Sequence, residues 1–96
     1  MRSVKLSRHF INDVTGRRRK TDPRAWRTLS NELNAIVQLL ERRIVLPPQC
    51  NNHRIKGTSL WYCYINDDFV ILYDLPDDDN VELRRFGLYS EVFPSP

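Results

Sequence analysis

The stretch SLWYCYINDDFVILYDLPDDDNVELRRF, residues 59–86, decides the fold. Ser59–Ile65 is dominated by Leu, Trp, Tyr and Cys, and Phe69–Tyr73 is a short continuous apolar run. Val81–Phe86 then alternates apolar with charged residues. Aromatic and β-branched residues in runs this short fit a pleated, half-buried surface, so each segment reads as a strand. Turn formers separate them: Asn66-Asp67-Asp68 first, then Pro76-Asp77-Asp78-Asp79-Asn80. A parallel crossover needs a dozen or more residues, so connections this short make the three strands antiparallel neighbours.

Helical signals precede this block. Ser3-Val4-Lys5-Leu6 alternates like a short strand, Ser7 suits an N-cap, and Leu6, Phe10 and Val14 repeat at four-residue spacing. A short helix is expected to end near Gly16, a C′ glycine, with Arg17-Arg18-Arg19-Lys20 in the connection beyond it. Asp22 and Pro23 mark the next helix start, as cap and first helical residue. Trp26, Leu29, Leu33, Ile36, Val37, Leu40 and Ile44 form one buried stripe. Arg42 and Arg43 fall in the expected last turn, and Pro47-Pro48 is expected to stop the helix. The architecture predicted is α+β, two N-terminal helices packed on one side of an antiparallel sheet, forming a single domain over residues 1–96.

Composition narrows the function. No apolar run approaches the roughly 20 residues needed to span a bilayer, and Met1–Lys5 lacks the apolar core of a signal peptide. Two cysteines, Cys50 and Cys63, are too few for a disulfide framework and suit a reducing cytosol, so a cytoplasmic location is expected. Cys50-x-x-His53 lacks the second ligand pair of a zinc site; neither a metal nor another cofactor is expected. The net charge of +3 conceals an asymmetry: residues 1–57 hold 13 Lys/Arg against 4 Asp/Glu, residues 58–96 hold 2 against 8. A half this basic suits a polyanionic partner, nucleic acid or an acidic protein segment, as well as a plainly solvated surface.

Four segments in fixed order carry a resemblance: Leu46-Pro47-Pro48, His53-Arg54-Ile55-Lys56-Gly57, Phe69-Val70-Ile71-Leu72-Tyr73, and Arg85-Phe86-Gly87-Leu88-Tyr89-Ser90-Glu91-Val92-Phe93. Together they resemble the RelE/ParE superfamily of type II toxins, and within it the YafQ-like branch. The paired N-terminal helices fit as well, so nearly the whole chain is covered. The resemblance implies a RelE-like fold and a ribonuclease that cuts mRNA in the ribosomal A site without metal. There the ribose 2′-OH attacks the adjacent phosphate and the 5′-oxygen leaves.

The same resemblance implies roles for individual residues. His53 is the expected general acid or base, since an imidazole exchanges protons near neutrality. Arg85 is expected to stabilise charge on the transition state, its guanidinium fork suiting a phosphate. Its neighbour Arg84 is expected on the opposite sheet face, because side chains alternate along a strand. Relatives of this branch carry histidine where this chain has Tyr64 and Tyr89. Tyr89 is expected in the proton-transfer role that some RelE-type proteins give a tyrosine near the C-terminus, and Tyr64 to hold substrate. Asp68 aligns with an acidic residue that orients His53 or acts as a base, or else is a simple turn aspartate. Phe93 is expected to stack on a nucleobase or to pack under the active residues, Arg54 and Lys56 to contact phosphate, and Arg17, Arg18, Arg19 and Lys20 to touch ribosomal RNA. The implied partners are a cognate antitoxin, the ribosome and mRNA, with no membrane involved.

Two other readings stay open on the sequence. ParE-type relatives share the fold but inhibit DNA gyrase, and Tyr at two expected histidine positions fits such a drift. A non-enzymatic nucleic-acid-binding module would use only the basic surface.

Overall fold

The computed structural model describes residues 1–94. Strand β1 (Ser3–Leu6) leads into helix α1 (Arg8–Lys20) and helix α2 (Pro23–Glu41). A short 3-10 turn, Pro48–Cys50, precedes β2 (His53–Arg54), β3 (Leu60–Tyr64), β4 (Phe69–Asp77) and β5 (Asn80–Leu88), and the short helix α3 (Tyr89–Val92) ends the fold. The strands form one sheet in the order β1-β5-β4-β3-β2. The expected antiparallel pairing holds from β5 through β2, while β1 joins the free side of β5 in parallel, making the sheet mixed.

The core lies between the helices and one sheet face. Phe10 of α1 and Leu29, Leu33, Ile36 and Leu40 of α2 pack against Cys63, Ile71, Tyr73, Val81, Leu83 and Phe86, with Trp26 and Val37 partly buried beside them. This is the stripe read from the sequence, less Ile44, which is half exposed beyond the helix end. The helix starts also agree with the sequence. Ser7 accepts from the Phe10 amide, and Asp22 accepts from the amides of Arg24 and Ala25 at 3.1 Å each.

Both helix ends differ from expectation. α1 runs through Gly16 to Lys20, so the basic run is its last turn rather than a connection. Thr21 Oγ1 donates to the Arg17 carbonyl, and the Thr21 amide to that of Arg18, so a side chain caps this end where a glycine was expected. α2 stops at Glu41, before the prolines. The Ile44 amide reaches the Leu39 carbonyl and the Arg43 amide that of Leu40, a Schellman arrangement with Arg43 in the left-handed region (φ 61°). Arg42 and Arg43 therefore lie past the helix, and Pro48 opens the 3-10 turn.

Among the described residues no helix is long and apolar enough to cross a membrane. Cys50 and Cys63 are both unpaired and buried in the core. Burial, then the neighbouring Cys50, pushes the Cys63 thiol up to about 12.

Two outcomes are expected. A methyl group at Gly16 would meet no atom within 4 Å, so Gly16→Ala should stabilise the protein by about 0.5–1 kcal/mol in urea denaturation. A thiol reagent at about pH 8, which needs the thiolate, should leave Cys63 unmodified in the folded protein and label it fully once unfolded.

Candidate active site

Alternation along the strands sends Leu60, Tyr62 and Tyr64 of β3 and Val70 and Leu72 of β4 to the sheet face away from the long helices. Register then builds a row across four strands on that face. His53 of β2 pairs with Tyr62, Tyr62 with Leu72, and Leu72 with Arg85 of β5. With strands about 4.8 Å apart, the row places His53 and Arg85 roughly 14 Å apart at the backbone.

Aromatic rings occupy one end of this row. His53 stacks on Tyr62 at 5.3 Å between centroids. Tyr62 meets Phe93 at 5.0 Å and Tyr89 at 6.1 Å, both edge-on. Tyr89 lies parallel to Tyr64 at 6.3 Å and 5.0 Å from Phe93. Four of the residues singled out in the sequence, His53, Tyr64, Tyr89 and Phe93, thus come together around Tyr62, which sequence reasoning missed. Its position two residues before Tyr64 on a strand was the available signal. Burial, then the neighbouring Tyr89 and Tyr64, raises the Tyr62 pKa above that of a free phenol. Tyr62 is therefore a hydrogen-bond donor rather than a base.

Arginines occupy the other end. β5 is not regular: Leu72 pairs with Arg85 but Tyr73 pairs with Leu83, so Arg84 is an extra residue in a bulge. The bulge cancels one step of alternation. Arg84 and Arg85 both line a cleft of about 500 Å³ with Ser7, Arg8, His9, Leu60, Leu72 and Val92. The expectation that only one of the pair faces the site is thereby corrected.

Arg85 is held from behind. Asp13 of α1 accepts from Arg85 Nε at 2.7 Å and Nη2 at 3.4 Å, and from the Phe86 amide at 3.0 Å. The Asp13 hydrogen bonds outweigh partial burial and raise the Arg85 pKa further. Asp13 carried no sequence signal, since its partners lie more than seventy positions away. Arg84 is tied to Glu82 at 2.7 Å and Asp74 at 3.2 Å, and Asp74 also accepts from Ser59.

Other expected residues fall elsewhere. Asp68 sits exposed in the β3–β4 turn, past the strand residues that face His53, and no hydrogen bond joins the two among the described residues. The orienting contact read from the sequence is therefore absent; the amides of Asp68 and Phe69 instead close the turn on Asn66 Oδ1. Arg54 donates through Nε to the Thr58 carbonyl, bracing the turn that Gly57 permits with φ 79°. Lys56 is exposed in that turn. Arg17 pairs with Glu91 and lies 5.0 Å over the Phe69 ring, so it fixes α1 to α3 and the sheet; Arg18, Arg19 and Lys20 are less constrained at the same helix end. Glu91 also accepts from the Leu88 amide at 2.8 Å, and its carboxylate lies 3.0 Å from where a Cβ on Gly87 would stand. Cys50 is buried while His53 is exposed, so the pair offers no common face to a metal.

Two helices on a five-stranded mixed sheet is the architecture of RelE-like type II toxins. Three solved structures share it. A copper-bound mutant toxin from Helicobacter pylori is 27% identical with a TM-score of 0.82, over 97% of this chain and 100% of that one. The YafQ chain of the Escherichia coli DinJ–YafQ complex is 20% identical with a TM-score of 0.80, over 97% and 99%. YafQ from E. coli strain BL21(DE3) is 22% identical with a TM-score of 0.77, over the same shares. Among curated proteins no sequence matches. The model of the family described as "Bacterial toxin of type II toxin-antitoxin system, YafQ" matches residues 2–94. The chain belongs to this family.

Removing the carboxylate that holds Arg85 has a measurable consequence. Asp13→Ala strips acceptors from a part-buried guanidinium and from the Phe86 amide, and should cost about 1–3 kcal/mol in denaturant unfolding.

Proposed function

We propose that this toxin is a metal-independent endoribonuclease that cuts mRNA in the ribosomal A site and so blocks translation. The observation that carries the reading is the cross-strand row, which sets a clamped arginine and a histidine–tyrosine cluster on one open sheet face. Cleavage by an internal 2′-OH needs one proton removed, one proton supplied to the leaving 5′-oxygen, and negative charge stabilised on phosphorus. Arg85 supplies the last, its guanidinium charged at any working pH and held still by Asp13. Tyr89 and His53 are the proton carriers. Both pack against Tyr62, whose retained proton makes it a donor within the cluster. The aromatic faces of Tyr64 and Phe93 suit the bases flanking the cut, each such stack contributing about 1–3 kcal/mol.

The roughly 14 Å between the backbones of His53 and Arg85 constrains the pose. A phosphate reached by both must lie above Leu72 and Tyr62, midway along the row. Arg54 and Lys56 then stand on the His53 side, where the RNA backbone leaves the sheet. Arg18, Arg19 and Lys20, in the last turn of α1, contact ribosomal RNA, where phosphate contacts position a protein without reading sequence. The partner in the resting cell is an antitoxin, as in the DinJ–YafQ complex.

The test is translation of a defined mRNA in vitro with purified toxin, then primer extension. Wild type should produce discrete cuts within the translated frame. Arg85→Ala should abolish them, and His53→Ala and Tyr89→Phe should each slow single-turnover cleavage by about 10²–10⁴-fold. Arrested translation without Arg85-dependent cuts would sink the ribonuclease reading, and inhibition of gyrase supercoiling would replace it with the ParE-like one.

A further inference from the structure

The arginine end of the row holds more than catalysis at one phosphate requires. The cleft between the first turn of α1 and the β5 bulge carries three arginines, Arg8, Arg84 and Arg85, together with His9 and Ser7, and no acidic side chain lines it among the described residues. Leu60, Leu72 and Val92 form its apolar part. None of Arg8, His9 and Arg84 is used in the cleavage chemistry above. We propose that this cleft is a second nucleotide subsite, binding an RNA phosphodiester next to the scissile one, with its base or ribose against Leu60, Leu72 and Val92. The inference rests on the ribonuclease reading and extends it from one phosphate to two.

The charges around the cleft support an anion despite the carboxylates nearby. Asp13, Asp74 and Glu82 each bind an arginine from outside the cleft lining. Those contacts engage Nε and Nη2 of Arg84 and of Arg85, leaving Nη1 of each without a carboxylate partner among the described residues. Two guanidinium forks are therefore fixed in place before a ligand arrives, so little side-chain freedom remains to be lost on binding. Arg8 is exposed and has no ion-pair partner among the described residues. It opens a helix of 13 residues with no acidic side chain in its first turn, so the positive end of the helix dipole is left uncompensated beside it. Clamped donors, an exposed cation and an apolar wall match the parts of a nucleotide, and the volume of about 500 Å³ accommodates one.

The bulge makes the subsite possible. In a strand alternating regularly from Leu83, Arg84 would stand alone on the open face and Arg85 would point toward the helices. The extra residue puts the second arginine beside the first, and Ser7 Oγ fixes it by donating to the Arg84 carbonyl at 2.9 Å.

Two measurements on the full-length toxin test this. The first is a nitrogen-15 chemical-shift titration with an uncleavable 2′-O-methyl dinucleotide, with inorganic phosphate and an acidic peptide run as separate arms. Shifts should cluster at Arg8, His9, Arg84 and Leu72, be larger for the dinucleotide than for phosphate, and fade in Arg8→Ala. The second is single-turnover cleavage on mRNA-programmed ribosomes. Arg8→Ala and Arg84→Gln should each raise the half-saturating toxin concentration about five- to ten-fold and flatten its salt dependence by roughly one phosphate contact. The plateau rate should stay near wild type, whereas Arg85→Ala should lose it. Arg42→Ala, at the far end of α2, controls for charge alone and should leave both quantities unchanged. Arg8→Ala also covers the case in which Arg84→Gln fails to fold, because the Arg8 side chain holds no ion pair. Wild-type saturation in both variants, or shifts confined to the His53–Phe93 end, would overturn the subsite and leave the ribonuclease reading intact. A response to the acidic peptide and not to the dinucleotide would also overturn it. Wild-type toxin that cleaves nothing on ribosomes would instead overturn the reading on which it rests.

Discussion

Alternation along a β-strand lasts only as long as its register, and in β5 the register slips by one residue at Arg84. Most of the molecule is arranged around that strand. β1 and β4 pair with its two edges, α1 packs against it, and α3 continues from its end. Before the slip, Val81 and Leu83 face the helices; after it, Phe86 does, so the core stays continuous while both arginines turn outward. A bulge leaves backbone groups without ladder partners, and these must be satisfied elsewhere. Ser7 takes up the Arg84 carbonyl and Asp13 the Phe86 amide. The same two residues that seat α1 on the sheet therefore complete the irregular strand.

Asp13 couples stability to the site. Its carboxylate is mostly buried, and burying a charge is costly unless it is paired and hydrogen-bonded. Here it is both, with a guanidinium and a backbone amide as partners. The outcome is an arginine whose head is fixed relative to β5 and α1 together. Glu91 plays the matching part at the other end, joining Arg17 of α1, the Leu88 amide and the close approach at Gly87. α3 is only four residues long, yet it is seated by these contacts, and it presents Tyr89 to the aromatic cluster.

The aromatic end is organised by packing instead of charge. Tyr62 is central because its strand position places it opposite His53 on one side and Leu72 on the other. Its contacts with Tyr89 and Phe93 are edge-on, an arrangement that the quadrupoles of aromatic rings favour over face-to-face stacking. The two ends of the row thus use different physics on one surface, and the apolar Leu72 separates them.

Much of this was legible in the chain itself. Periodicity marked both helices and the three long strands, caps at Ser7 and Asp22 marked the helix starts, and the order of segments pointed to the toxin family. These are local signals, set by the spacing of apolar residues and by side chains that satisfy amides two or three positions away. The helix ends depart from the expected glycine and proline stops because other groups close them: α1 passes through Gly16 to a cap at Thr21, with Arg17 anchored on distant Glu91, and α2 closes on Arg43 without a glycine. The bulge at Arg84, the clamp from Asp13 and the separation of Asp68 from His53 had no local signature at all, and strand alternation put Tyr62 on the face of Tyr64 without showing that it is central there. Each depends on which residue of one strand or helix lies beside a residue far along the chain, and that is decided only when the sheet takes its register and α1 docks against it.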